Sequence, residues 1–216
     1  GPLAWGLWTT LWISVVSGAL GLVIGLFAGL CRLSNTPTLR DLSTVYVELV
    51  RGTPLLVQIF ILYYGLAQFE WVRDSVLWLL LDDAFSCALL ALTLNLAAYM
   101  AEDIRGGILG VPAGEKEAAT AFGMSRLMVT WYIVVPRAIG IVAPTLGNEI
   151  VLQLKSTALA STITVLDLTG VARRLSIEAY TTDALLLAGL LYIVIAAVLS
   201  LLIKYGEARL NLHQPR

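Results

Sequence analysis

Charge is scarce in this chain. Charged residues make up 13% of its 216 positions, against about a quarter in an average soluble domain. The first 31 residues carry no charge at all. Histidine is nearly missing too: His213, in the polar tail, is the only one. That argues against a histidine-based triad or a histidine metal centre. The two cysteines, Cys31 and Cys87, show no CxxC spacing and support neither a zinc site nor a disulfide framework. Both lie in or beside apolar stretches and are expected to be small buried hydrophobes. A net charge of -1 leaves no basic surface for nucleic acid. No GxxxxGK[ST] occurs, so ATP chemistry would have to come from a partner. There is no internal repeat and no linker, so residues 1–216 are expected to form one domain.

What fills the chain is apolar sequence, 58% of it. A helix that crosses a bilayer needs about 20 mostly apolar residues. Five stretches are candidates: about Leu7–Leu30, Pro54–Gln68, Phe85–Ala101, Leu127–Gln153 (interrupted by Pro136, Arg137 and Pro144) and Ala184–Ile203. The second and third are short, so their ends are expected to recruit flanking residues or to be covered by protein. The first has no basic flank and exceeds the ~7–15 residues of a signal h-region, so it is expected to stay as a span. The fold class is therefore all-α: a polytopic membrane protein with about five transmembrane helices. Within the first span, Ser14, Gly18, Gly21, Gly25 and Gly29 share one helical face. Small residues let helices approach closely in lipid, and packing within the subunit is the expected use.

Lysine and arginine in short loops orient such a chain. Segments 31–45, 102–126 and 204–216 hold eight: Arg32, Arg40, Arg105, Lys116, Arg126, Lys204, Arg209 and Arg216. Segments 71–84 and 154–183 hold four: Arg73, Lys155, Arg173 and Arg174. The bias places the N-terminus outside and the C-terminus in the cytoplasm, and with it the segment between the third and fourth spans. Arg173 and Arg174 are then expected in an outer-face loop.

That segment, about 115–126, is mixed in polarity, rich in alanine and broken by glycine. Gly114 can cap its entry, and Glu115 and Glu117 favour the positive end of a helix. Ala118, Ala119, Ala121 and Phe122 form about two turns. Gly123 suits a left-handed stop and Ser125 caps the next helix. The pattern predicts a short helix off the membrane, with Phe122 and Met124 as an apolar anchor. A loop helix resting on its own subunit fits as well.

The order Glu117-Ala118-Ala119, Gly123, Ile133 and Val135-Pro136 resembles the EAA motif of ABC importer permeases, with Val135 where leucine is usual. Three further stretches resemble the polar amino acid branch of that family: YVELVRGTPLLVQIF (Tyr46–Phe60), AAYMAEDIRGGILGVPAGEKEAA (Ala97–Ala119) and NEIVLQLKSTALASTITVLDLTGVAR (Asn148–Arg173). In the last, Ala158 stands where serine is common. The last stretch looks most like permeases for basic amino acids or opines. The resemblance implies a type I permease fold whose coupling helix seats on an ATP-binding subunit. Glu117, Ala118, Ala119, Phe122, Gly123 and Met124 would be its coupling residues. It also implies two ATP-binding subunits that bind ATP and Mg, a second permease subunit, identical or homologous, and an extracytoplasmic substrate-binding protein, all in a bacterial inner membrane. The chain itself would bind no cofactor and no metal, and would not be an enzyme.

Polar groups within spans are costly and usually face a cavity or a partner. Glu149, Gln153 and Ser156 share one face of the fourth span, and Asn95, Tyr99 and Glu102 one face of the third. These stripes are expected to line a substrate path, with Glu149 suited to a cationic amino acid; bonding between neighbouring helices is the other use. Arg51, before Thr53-Pro54, is expected to anchor to Glu48 or to carbonyls near the cytoplasmic face, with a contact to substrate as the other use. Lys155 could pair with Glu149 or meet a substrate carboxylate. A membrane enzyme would need catalytic groups that the spans lack. A passive channel or receptor scaffold remains the alternative reading, separable by whether an ATPase subunit copurifies.

Overall fold

The computed structural model describes residues 1–210 and, among them, only helices and turns. The side chain of Arg209, together with His213 and Arg216, lies outside what is described. Four helices are long and apolar enough to cross a membrane, five if a bent pair counts as one span. The first is α1 (Pro2–Arg32). The bent pair is α2 (Pro37–Arg51) and α3 (Leu55–Phe60), the latter continued by a π turn and a 3-10 turn to Gln68. A short α4 (Glu70–Arg73) precedes α5 (Ala84–Leu109). Then come α6 (Ala113–Ala121), α7 (Arg126–Val129), a π turn over Thr130–Val134, and α8 (Val135–Ser156) with a 3-10 extension to Ile163. The chain closes with α9 (Leu168–Ala179) and α10 (Asp183–Leu210).

Two elements differ from expectation. Residues expected to be a loop at 31–45 are largely α2, and α2 meets the Leu55–Gln68 helix at 104°. The second span is thus a broken helix and does not simply begin at Pro54. Pro54 caps α3 in extended conformation and does not occupy its first turn. The outer-loop region expected around Arg173 is instead the helix α9. Its amphipathic composition, with Arg173 and Arg174 amid apolar positions, hid it from a search for long apolar runs. Pro144 does not interrupt α8, which runs through it.

α1 and α5 form the central seam. A Cβ on Gly25 would lie 2.8 Å from Met100 Cβ and 2.9 Å from the Ala97 carbonyl oxygen; one on Gly29 would lie 2.8 Å from that of Ala101. α5 answers with buried Ala97, Ala98 and Ala101. Close backbone approach, with dispersion contacts along it, drives association where lipid supplies no hydrophobic effect. The α1 stripe is therefore mainly within-subunit packing, while Gly18 faces open space along an apolar groove with Ser14. At the C-terminal end of α5, a Cβ on Gly107 would collide with Val142 of α8.

The opposite end is pinned by Asp167. Its carboxylate accepts from the amides of Gly170 (2.9 Å) and Thr169 (3.3 Å), capping α9, and from the Tyr192 hydroxyl of α10 (3.1 Å). The Leu168 amide donates to Thr10 of α1 at 3.0 Å. Burial pushes the Asp167 carboxyl above its ordinary range, and these bonds work against that rise. Exposed Trp5 and Trp8 flank this end, and exposed Trp131 and Tyr132 the other, as aromatic belts do at membrane interfaces.

Candidate functional site

The connection from α5 to α8 forms the short helix expected there, though Pro112, not Gly114, stands at its N-cap. Its stop is a complete left-handed cap. Gly123 has φ +83, its amide bonds to the Thr120 carbonyl at 2.9 Å, and the Met124 amide bonds to that of Ala119 at 3.1 Å. This pair of bonds satisfies carbonyls that a helix end otherwise orphans. Ser125 then caps α7, accepting from the Met128 amide at 3.3 Å. Glu117 and Ala118 are exposed, Phe122 is 90% exposed and Met124 is half-buried. Ala119 is 6% exposed and faces its own subunit, so it does not belong to the outward surface.

The second candidate lies where the α2–α3 break meets α5 and α8. Arg51, at the end of α2, places its guanidinium 5.2 Å from the Tyr99 ring centre, a cation–π arrangement. It does not pair with Glu48. Asp103 and Glu149 lie within electrostatic reach of each other and of Arg51, and Thr145 approaches Asp103. The Asp103 Oδ2 atom is buried without a hydrogen-bond partner. Both carboxylates thus lie in the field of one guanidinium, and one Asp103 oxygen stays unbonded. An orphaned buried acceptor of this kind is uncommon.

The structure divides the expected path residues. Glu149 and Tyr99 belong to this cluster of side chains. Gln153 does not: it is 4% exposed and donates to Ser17 Oγ at 2.7 Å and to the Leu92 carbonyl at 3.2 Å, tying α8 to α1 and α5. Asn95 donates to Gln58 Oε1 at 3.1 Å. Gln58 in turn donates to the Val50 carbonyl (2.7 Å) and Thr53 Oγ1 (2.8 Å), bracing the break. Glu102 pairs with Arg32 and with Arg105, at 2.6 Å from the latter. Ser156 is half-buried at the end of α8. Lys155 is exposed, and among the described residues it makes no ion pair with Glu149. Asp103 and Thr145 join this group without any expectation from sequence, and Arg51 stands with its less favoured use, beside the substrate candidates. Asp103 was within reach, because it continues the Asn95–Tyr99 stripe at i+4; Glu102, its neighbour, was chosen instead.

The described residues thus form a helical bundle with a bent helix pair after α1 and a short helix between α5 and α8. The chain belongs to the family described as binding-protein-dependent transport system inner membrane component, which it matches over residues 21–212. It is 46% identical over 203 residues to the octopine transport system permease protein OccM of Rhizobium radiobacter, covering 94% of this chain and 83% of that one. It is 37% identical to the histidine/lysine/arginine/ornithine transport system permease protein HisM of Escherichia coli, over 96% and 91% of the two chains. Among solved structures, a chain of an amino acid ABC transporter crystallised with histidines superposes with a TM-score of 0.87 at 34% identity, covering 96% of this chain and 94% of that one. An inward-facing MetNI methionine transporter shares the fold alone, at a TM-score of 0.78 and 18% identity. The chain is a permease subunit of an ABC importer.

Proposed function

We propose that this permease carries basic amino acids or opines and that substrate passes the cluster of Arg51, Tyr99, Asp103, Thr145 and Glu149. The single observation that carries this is the carboxylate pair with an unpartnered buried oxygen. A cationic side chain or an α-ammonium supplies the missing donors and charge, and Arg51 offers a partner to the substrate carboxylate. The names of the relatives support the same substrate class.

In this reading α6 is the coupling helix, with Glu117, Ala118, Phe122 and Met124 toward an ATP-binding subunit and Gly123 setting the turn. Two such subunits bind ATP and Mg. A second permease, identical or homologous, completes the path, and an extracytoplasmic binding protein delivers substrate at the α9 end. The N-terminus lies outside and the C-terminus in the cytoplasm, and residues 1–216 act as one permease domain. ATP-driven closure helps transport only if it favours one access state through differential contacts. A passive channel or scaffold has no use for an exposed Phe122 on a capped helix outside the membrane.

The test is reconstitution with the ATPase and binding protein, screening amino acids and opines for stimulated hydrolysis and uptake. Glu149→Gln is expected to lower uptake of cationic substrates about tenfold or more, the scale of losing a charged hydrogen-bond partner. Unchanged uptake and unchanged preference would sink the path assignment.

A further inference from the structure

Glu115 lies in the first turn of α6 and Arg137 at the start of α8. Arg137 Nε donates to Glu115 Oε2 at 2.9 Å, across 22 residues of chain. The bond closes a ring containing α6, the Gly123 stop, α7 and the π turn. Pro136 has no amide to bond the carbonyl four residues back, and the π turn ends two residues before it, at Val134. Each such turn adds one residue and so rotates the following helix by roughly 100°. That rotation sets the face on which Arg137 leaves α8, and it is the face toward Glu115.

On its other side the N-terminal part of α8 is gripped by α5 at Gly107, where Ala138 and Val142 leave no room for a Cβ. α6 is otherwise joined to the spans through the Gly110–Pro112 and Phe122–Ser125 turns and through the buried side of Ala119. Twelve residues beyond Arg137, about 18 Å along a helix, α8 carries Glu149.

We infer that the Glu115–Arg137 ion pair is a transmission clamp: it fixes α6 to α8, so that displacement of α6 moves α8 and the Thr145–Glu149 face as one body. Arg137 is a positioning residue that touches neither motor nor substrate. The inference rests on the reading of α6 as the coupling helix. Both side chains are partly exposed, at 42% and 33%, so the pair contributes little to folding. Its removal should leave the subunit assembled and show itself in coupling.

The experiment uses the full complex in proteoliposomes and reads substrate taken up per ATP hydrolysed. Arg137→Ala is expected to assemble normally and to lower that ratio by about two- to fivefold, the scale of one partly exposed ion pair. Arg137→Lys should retain most of the ratio, and the exchange of Glu115→Arg with Arg137→Glu should recover at least half of the loss. An unaltered ratio in Arg137→Ala overturns the clamp, as does a charge exchange no better than the single variant. Failure of the wild-type chain to bind any ATPase subunit would instead refute the permease-coupling reading itself.

Discussion

Glycines of one stripe have different fates at the residue scale. Gly25 faces backbone and the Met100 Cβ within 3 Å, whereas Gly18 has nothing within 4 Å of its added Cβ. Gly25→Ala must push α1 away from α5, and overpacking of that kind costs about 1–3 kcal/mol. Gly18→Ala should be neutral. Thermal unfolding in detergent should show a lowered midpoint for the first and none for the second. The stripe itself was legible because small residues at helical spacing have one physical use. Which members touch α5 was not, since that depends on where the two axes cross. Gln153 teaches the same point. A glutamine in a span must bond to something, and sequence alone could not say whether the partner was a substrate or Ser17.

Capped turns and breaks dominate at the scale of elements. The stop of α6 was legible residue by residue: Gly123, then Ser125, because left-handed φ and N-capping are local chemistry. Gly123→Asn should be tolerated, since asparagine adopts that conformation, whereas Gly123→Val should cost about 1–2 kcal/mol and misdirect α7. Phe122 is a separate matter. An aromatic side chain 90% exposed outside the apolar spans contributes nothing to its own fold. Phe122→Ala should therefore leave membrane insertion and unfolding unchanged while weakening recovery of the ATPase subunit about tenfold or more, as loss of an aromatic anchor does; equal recovery in a pull-down would contradict that role. The helices α2 and α9 were missed for a common reason. Hydropathy finds runs that lipid surrounds, and these two are amphipathic and lie partly against protein or outside the spans.

For the whole molecule, the proposed orientation, with α6 inside and α9 outside, rests on the arginine and lysine bias. In a Cys31→Ser background, an impermeant thiol reagent applied to intact cells should label Tyr180→Cys, which is 96% exposed in the wild type. Phe122→Cys should react only after lysis, and the reverse pattern would invert the topology. The two ends differ chemically in a way that suits such a division. One is pinned by the buried Asp167 network, while the other leaves a capped helix held by a partly exposed ion pair.

Long apolar runs, small-residue spacing, caps and the EAA-like order are properties of neighbouring residues, and they alone specify a helical membrane protein, its approximate spans and its off-membrane helix. Folding in three dimensions decided the rest. The 104° break brings Arg51 to Tyr99. Helix crossing selects Asp103 over Glu102, and a π turn before Pro136 aims Arg137 at Glu115. Each of these joins residues far apart in the chain through the rotation of one rigid helix against another, and no local pattern encodes that rotation.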